Sequence, residues 1–391
     1  MKSKEEKRYE ELSPFELKNK LIGMAQTHHE RMMLNAGRGN PNWVAVGPRE
    51  GFFQFGMFAL VESQRNPHRP GLGGPAQKDG ISKRFEAYIA ANSGKPGIKF
   101  LSDIFGYVRT ALKIDGDDFL NEMVDAILGD HYPTPDRMLT LSEGIVHKYL
   151  EQEMFGKNPS IGTFDLFATE GGTAAMDYIF SSLSENKIIR KGDKIALGTP
   201  IFTPYIEIPR LNDYELVELD ITQDENSDWQ YPDSEIEKLA DPAVKAFFLV
   251  NPSNPTSVSM QQKSLDKITE LVRTRRKDLI VLTDDVYGTF VNGFKSLAAA
   301  APHNTILVYS FSKYFGATGW RLGVIGIHQD NIFDKRIAAL PKADKDALHK
   351  RYCTAELDPD NMNSSTAWSP IRVRSRCTIP RGCRRRSRRS W

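Results

Sequence analysis

Apolar runs of about five residues recur through the second half of the chain, each followed by Gly, Pro, Asn or Asp. Ala246-Phe247-Phe248-Leu249-Val250 and Leu279-Ile280-Val281-Leu282-Thr283 carry no polar alternation, which predicts strands buried on both faces. Residues 194–198, 305–310 and 322–327 read the same way. Between two of these runs, residues 262–277 place Leu265, Ile268 and Val272 on one helical face. Met176, Ile179, Phe180 and Leu183 do the same after a glycine pair. Strand and helix patterns thus alternate from 164 to 327, which predicts an α/β fold with a mostly parallel sheet covered by helices. Residues 51–129 read as largely helical and polar-faced, with a helical hairpin over 101–128 turning at Asp115-Gly116-Asp117.

This pattern divides the chain into an N-terminal arm (1–50), a helical insertion (51–129) and a large domain (130–330). An amphipathic segment (331–363), which the family resemblance set out below implies to be the start of a smaller C-terminal domain, and a tail (364–391) follow. The tail changes the charge picture. The chain carries 52 Lys and Arg against 50 Asp and Glu. Residues 364–391 hold nine arginines and no Asp, Glu or Lys, leaving 43 basic against 50 acidic residues before them. The body is acidic and has no general electrostatic reason to bind nucleic acid. Two of the three cysteines, Cys377 and Cys383, also lie in the tail. An out-of-frame reading of a GC-rich gene accounts for such a composition; a functional arginine-rich arm is the rival. The charged start, the few cysteines and the lack of a membrane-length apolar segment predict a cytoplasmic protein. No metal-ligand spacing or internal repeat is evident.

The candidate chemistry sits where the apolar runs end. Ser310-Phe311-Ser312-Lys313 closes one run, and Gly319-Trp320-Arg321-Leu322-Gly323 follows. A lysine after a strand, with hydroxyls before it and an arginine eight residues on, suits pyridoxal 5'-phosphate (PLP). The amine forms a Schiff base, and Ser310 and Arg321 are phosphate ligands. Asn254, in Asn251-Pro252-Ser253-Asn254-Pro255-Thr256-Ser257, can reach the phenolic oxygen of the coenzyme; a plain Pro-rich turn is the alternative. Asp284 at a strand end can hold the pyridine nitrogen protonated, and Tyr287 can donate to the ring oxygen; an acidic turn is the alternative. Gly171-Gly172-Thr173 at a helix start offers N–H groups to a phosphate. Phe202, in Pro200-Ile201-Phe202, either stacks on the coenzyme or belongs to the core.

In order and spacing these motifs resemble the fold type I PLP-dependent aminotransferase superfamily over about residues 33–327, and within it the aspartate 4-decarboxylase branch. That branch is suggested by the stretches 10–18 and 34–43 and by the long insertion before His131-Tyr132-Pro133. The resemblance implies Lys313 as Schiff base and proton shuttle, with Asp284 on the ring nitrogen and Asn254 and Tyr287 on the phenolic oxygen. Gly172, Thr173, Ser310 and Arg321 correspond to phosphate ligands. Tyr132 would reach the phosphate of a neighbouring subunit, so a homo-oligomer, a dimer or multiples of dimers, is implied. Gly39 corresponds to the glycine near the substrate α-carboxylate, and Arg38 and Lys18 are the basic residues that can reach the second carboxylate. Ser257 departs from the family, which has glycine there. The activity implied is β-decarboxylation of L-aspartate to L-alanine and CO2 with aminotransferase side activity, an α-keto acid serving as activator or co-substrate. An aminotransferase alone is one alternative. A catalytically inactive chain is another, because the family continues further and supplies an α-carboxylate arginine there.

Overall fold

The computed structural model describes residues 9, 12, 14–26, 39–66, 71–130, 137–157, 161–211 and 217–352. They form two compact units, one from Trp43–Leu150 and one from Met1–Asn42 with Glu151–Trp391.

In the order of the chain, the helices used below are α1 (Pro14–Gln26), α2 (Val46–Gln64), α3 (Ile81–Ala91), α4 (Ile98–Thr110), α5 (Gly116–Leu128), α6 (Thr140–Glu153), α7 (Gly172–Glu185), α8 (Pro204–Leu211) and α9 (Gln262–Thr274). The strands are β1 (Phe164–Thr169), β2 (Lys194–Thr199), β3 (Val217–Thr222), β4 (Val244–Val250), β5 (Ile280–Asp284), β6 (Thr305–Ser310) and β7 (Gly323–His328).

The strands make one seven-stranded sheet in the order β1-β7-β6-β5-β4-β2-β3. Neighbours from β3 to β6 are parallel; β7 runs antiparallel to both β6 and β1. Every residue of β5, β6 and β7 is buried. The reason lies in the period-two geometry of a strand with two covered faces. In β4, Ala246, Phe248 and Val250 enter one core with Ile280, Leu282 and Val308. Val244, Phe247 and Leu249 enter the other with Val281. Helix α7 closes the first core through Met176, Ile179, Phe180 and Leu183. Helix α9 closes the second through Leu265, Ile268, Leu271 and Val272, and ends at Thr274, three residues before the expected limit. Strand β3, absent from the sequence expectation, extends the sheet beyond β2.

Arg276, 4% exposed, follows α9. Its guanidinium donates to the carbonyls of Leu239 (2.7 Å), Asp241 (2.5 Å) and Val244 (2.5 Å) and pairs with Asp278. A buried cation is tolerated because every direction of its donor fork meets an acceptor.

The other unit is helical. Phe58, Phe85, Ile98, Phe105, Leu120 and Val124 share its core. Glu62 of α2, fully buried, accepts from Arg65 and from Arg84 of α3, both at 2.7 Å. The expected hairpin is α4 and α5, but Asp115-Gly116-Asp117 is less a turn than a helix start. The Asp115 carboxylate caps α5 by accepting from the N–H groups of Asp117 and Asp118. The neighbouring Asp117 carboxylate accepts from Gly80 and Ser82 at the start of α3.

Candidate active site

The carboxyl ends of the parallel strands open into a cavity of about 740 Å3. Open α/β sheets present their ligand sites at this edge, because strand ends and helix starts leave backbone donors and loop side chains there. Eleven of the residues singled out in the sequence line it: Lys18, Gly39, Gly172, Thr173, Phe202, Asn254, Asp284, Tyr287, Ser310, Lys313 and Arg321. Arg38 and Tyr132 lie outside the described residues.

Asp284 ends β5 and is 4% exposed. One carboxylate oxygen accepts the N–H of Val286 at 3.1 Å, and the other accepts the hydroxyl of Tyr205. Burial pushes its pKa up to about 6, against these two donors and the charge of Lys313, which favour the anion. Lys313 follows β6. Burial and then Arg321 lower its pKa from the ordinary lysine value, with Asp284 opposing. Lower amine basicity is what a Schiff-base lysine needs, since only the neutral amine attacks an aldehyde. The ammonium donates to the carbonyl of Gly39 at 2.6 Å across 274 residues of sequence. A Cβ on Gly39 would stand 3.1 Å from that nitrogen, so glycine leaves the amine room to move.

The opposite wall is built for an anion. Helix α7 begins without a side-chain cap at Gly171, leaving its first N–H groups toward the cavity lined by Gly172 and Thr173. Gly171 has φ +96°, and a Cβ there would run into the Arg321 guanidinium. Arg321 donates to the carbonyl of Thr318 at 2.8 Å and to the hydroxyl of Ser312 at 3.5 Å. Ser310 donates to Ser312 at 2.9 Å. Gly323 fits for a related reason: a Cβ would stand 2.9 Å from the Gly171 backbone, so the loop before α7 packs directly on the start of β7.

Tyr205 was not among the residues singled out in the sequence. It is 2% exposed, stands three residues after Phe202 in the first turn of α8, and meets the Phe202 ring edge-on at 5.2 Å. Burial first, then Asp284, raises its hydroxyl well above the ordinary tyrosine value, so it stays a donor. Phe202 lines the cavity and also packs against the first core. Ser257 has φ +60°, the backbone region in which glycine is unstrained.

Residues 165–348 match the family model of aminotransferases class I and II. Over that stretch, a little under half of its length, the chain is similar to the class I and II aminotransferases. It is 54% identical over 352 residues to a Pseudomonas protein named bifunctional aspartate aminotransferase and L-aspartate beta-decarboxylase; that match covers 90% of this chain and 66% of the relative, just under two thirds of its length. Two crystal structures share the aminotransferase fold. Bna3p from Saccharomyces cerevisiae matches with TM-score 0.52 at 16% identity, covering 98% of this chain and 73% of its own. Pyrococcus protein-A1 matches with TM-score 0.52 at 18% identity, covering 94% and 74%. Among the described residues, no helix is long and apolar enough to cross a membrane, and no cluster of side chains suits a metal ion.

Proposed function

We propose that the chain binds pyridoxal 5'-phosphate on Lys313 and acts on L-aspartate, releasing CO2 from Cβ to give L-alanine, with transamination as the competing outcome. The observation that carries this is the placement of Lys313 and buried Asp284 on one cavity with an uncapped helix start and an arginine beside it. The name of the Pseudomonas relative supports the choice of substrate.

The residues fit the coenzyme. The space a Cβ on Gly171 would fill lies against Arg321, which leaves a cradle for a phosphate between Arg321, Ser310 and the N–H groups of Gly172 and Thr173. When bound, the coenzyme supplies an aldehyde that takes up the substrate amine and a ring that accepts the electrons left at Cα or by CO2 loss. Asp284 would keep the ring nitrogen protonated: burial raises its pKa to about 6 even with Lys313 opposing, and a positive ring nitrogen beside it would lower that value. Tyr205 holds the Asp284 oxygen in place. Asn254 and Tyr287 would hold the ring oxygen, and Phe202 would pack on the ring. Lys313, once free of the coenzyme, would carry the proton from Cα and return protons to the product, its lowered pKa leaving more of the amine neutral and able to accept the first.

Decarboxylation and transamination differ in how the second carboxylate is held. A cation that grips it stabilises the charged ground state and disfavours CO2 loss. Lys18 of α1 lines the cavity, and Arg38 is next to Gly39 in the sequence; we assign to these two how tightly that carboxylate is held, and with it the balance between the two outcomes. A homodimer whose Tyr132 reaches the neighbouring phosphate, and an α-keto acid that restores the coenzyme after transamination, belong to the same proposal. The test is product analysis of aspartate turnover. Alanine in excess over keto acid supports decarboxylation, and Arg38→Ala changes that ratio. Keto acid without alanine from aspartate would leave an aminotransferase.

A further inference from the structure

The turn that presents Asn254 is gripped from outside by a segment with no part in the chemistry described so far. Gln223 follows β3, is 6% exposed, and is fixed by its own N–H donating to the carbonyl of Thr199 at 2.7 Å. Its side-chain oxygen accepts two hydroxyls, from Ser253 at 3.0 Å and from Thr256 at 3.4 Å. These flank Asn254 on either side. Seven residues on, Gln230 grips the far limb, its amide donating to the carbonyl of Ser259 at 3.2 Å and its oxygen accepting the N–H of Gln261 at 2.8 Å. Asp224 and Gln230 are joined by a backbone bridge, so the two glutamines act as one bracket.

The turn needs holding. Ser257, in the left-handed region, gives its N–H to the Ser253 carbonyl at 2.9 Å, and Ser253 gives its own to Val258 at 2.8 Å. A side chain with φ near +60° strains this turn, and a strained conformation persists only where its surroundings over-determine it. The bonds to Gln223 come from Ser253, immediately before Asn254, and Thr256, two residues after it.

We infer that Gln223 is a positioning residue for Asn254, holding its turn so that the Asn254 amide reaches the ring oxygen of the coenzyme. This rests on the coenzyme reading above. An amide N–H on that oxygen favours its anionic form, so displacing the amide makes the Lys313-linked group hold its proton to higher pH.

The experiment follows the visible absorbance of the PLP-loaded protein without substrate as pH is varied. Gln223→Met keeps the length and removes the acceptor. Its midpoint should rise by about 0.5–1 unit, and the same change in an Asn254→Ala background should move it no further. An unmoved midpoint overturns the inference, as does an equal shift in the Asn254→Ala background. Thr256→Val removes one of the two hydroxyl donors and stands in if Gln223→Met does not fold; a smaller rise is expected, and none contradicts the assignment. A wild-type protein with no lysine-dependent band defeats the coenzyme reading and this inference with it, whereas a normal band with an immobile midpoint defeats only the bracket.

Discussion

Asp284 and Asp285 are consecutive buried carboxyls with different surroundings. Asp284 faces the cavity and has two donors. Asp285 faces away, accepts the Thr283 hydroxyl at 2.5 Å, and has one oxygen with no hydrogen-bond partner. Burial pushes Asp285 up to about 7 and Asp284 up to about 6, from ordinary values near 3.8. Both folded values are raised, so the stability they contribute is fully present below about pH 4 and is lost as pH rises through 6 to 7. The coenzyme-free protein should therefore melt at lower temperature at pH 8 than at pH 5. Asp285→Asn should remove most of its share of that slope, up to about 4 kcal/mol; a thermal series at both pH values checks it. Tyr205→Phe should weaken coenzyme binding about ten- to a hundredfold, the value of one hydrogen bond to a charged group, as read by titrating the visible band. Ser257→Gly should raise stability by about 1 kcal/mol by relieving the left-handed strain, measured by denaturant unfolding.

At the scale of elements, strands were legible where both faces are covered, because an unbroken apolar run such as residues 246–250 has few other uses in a chain this polar. Residues 217–222, Val-Glu-Leu-Asp-Ile-Thr, alternate instead; they form the terminal strand β3, and alternation in so short a window is easily taken for a loop. Tyr205 was hidden for a related reason: an aromatic on a helix reads as core, and only the fold brings it to a carboxylate 79 residues away. The Lys313–Gly39 contact spans more sequence still. Buried polar residues between elements were equally illegible. Arg276→Met should cost about 3–5 kcal/mol, since it strands three carbonyls and leaves Asp278 unpaired. Melting of the variant gives the number, and a loss under 1 kcal/mol would mean water replaces the guanidinium.

For the whole molecule, charge and the site lead in separate directions. The basic excess resides in residues 364–391, and the rest of the chain is net acidic. A protein lacking those residues should lose salt-sensitive retention on a polyanion column, because the remainder repels it; undiminished retention would place a basic surface elsewhere. The site draws on seven separated stretches, from α1 to the start of β7, so its chemistry reports on the fold as a whole. The most direct measurement is the absorption spectrum of the purified protein with pyridoxal phosphate, before and after adding aspartate, with Lys313→Ala alongside. A visible band that Lys313→Ala lacks and that aspartate perturbs is the expected result. The same spectrum from both proteins would contradict the assignment of Lys313 and, with it, the proposed function.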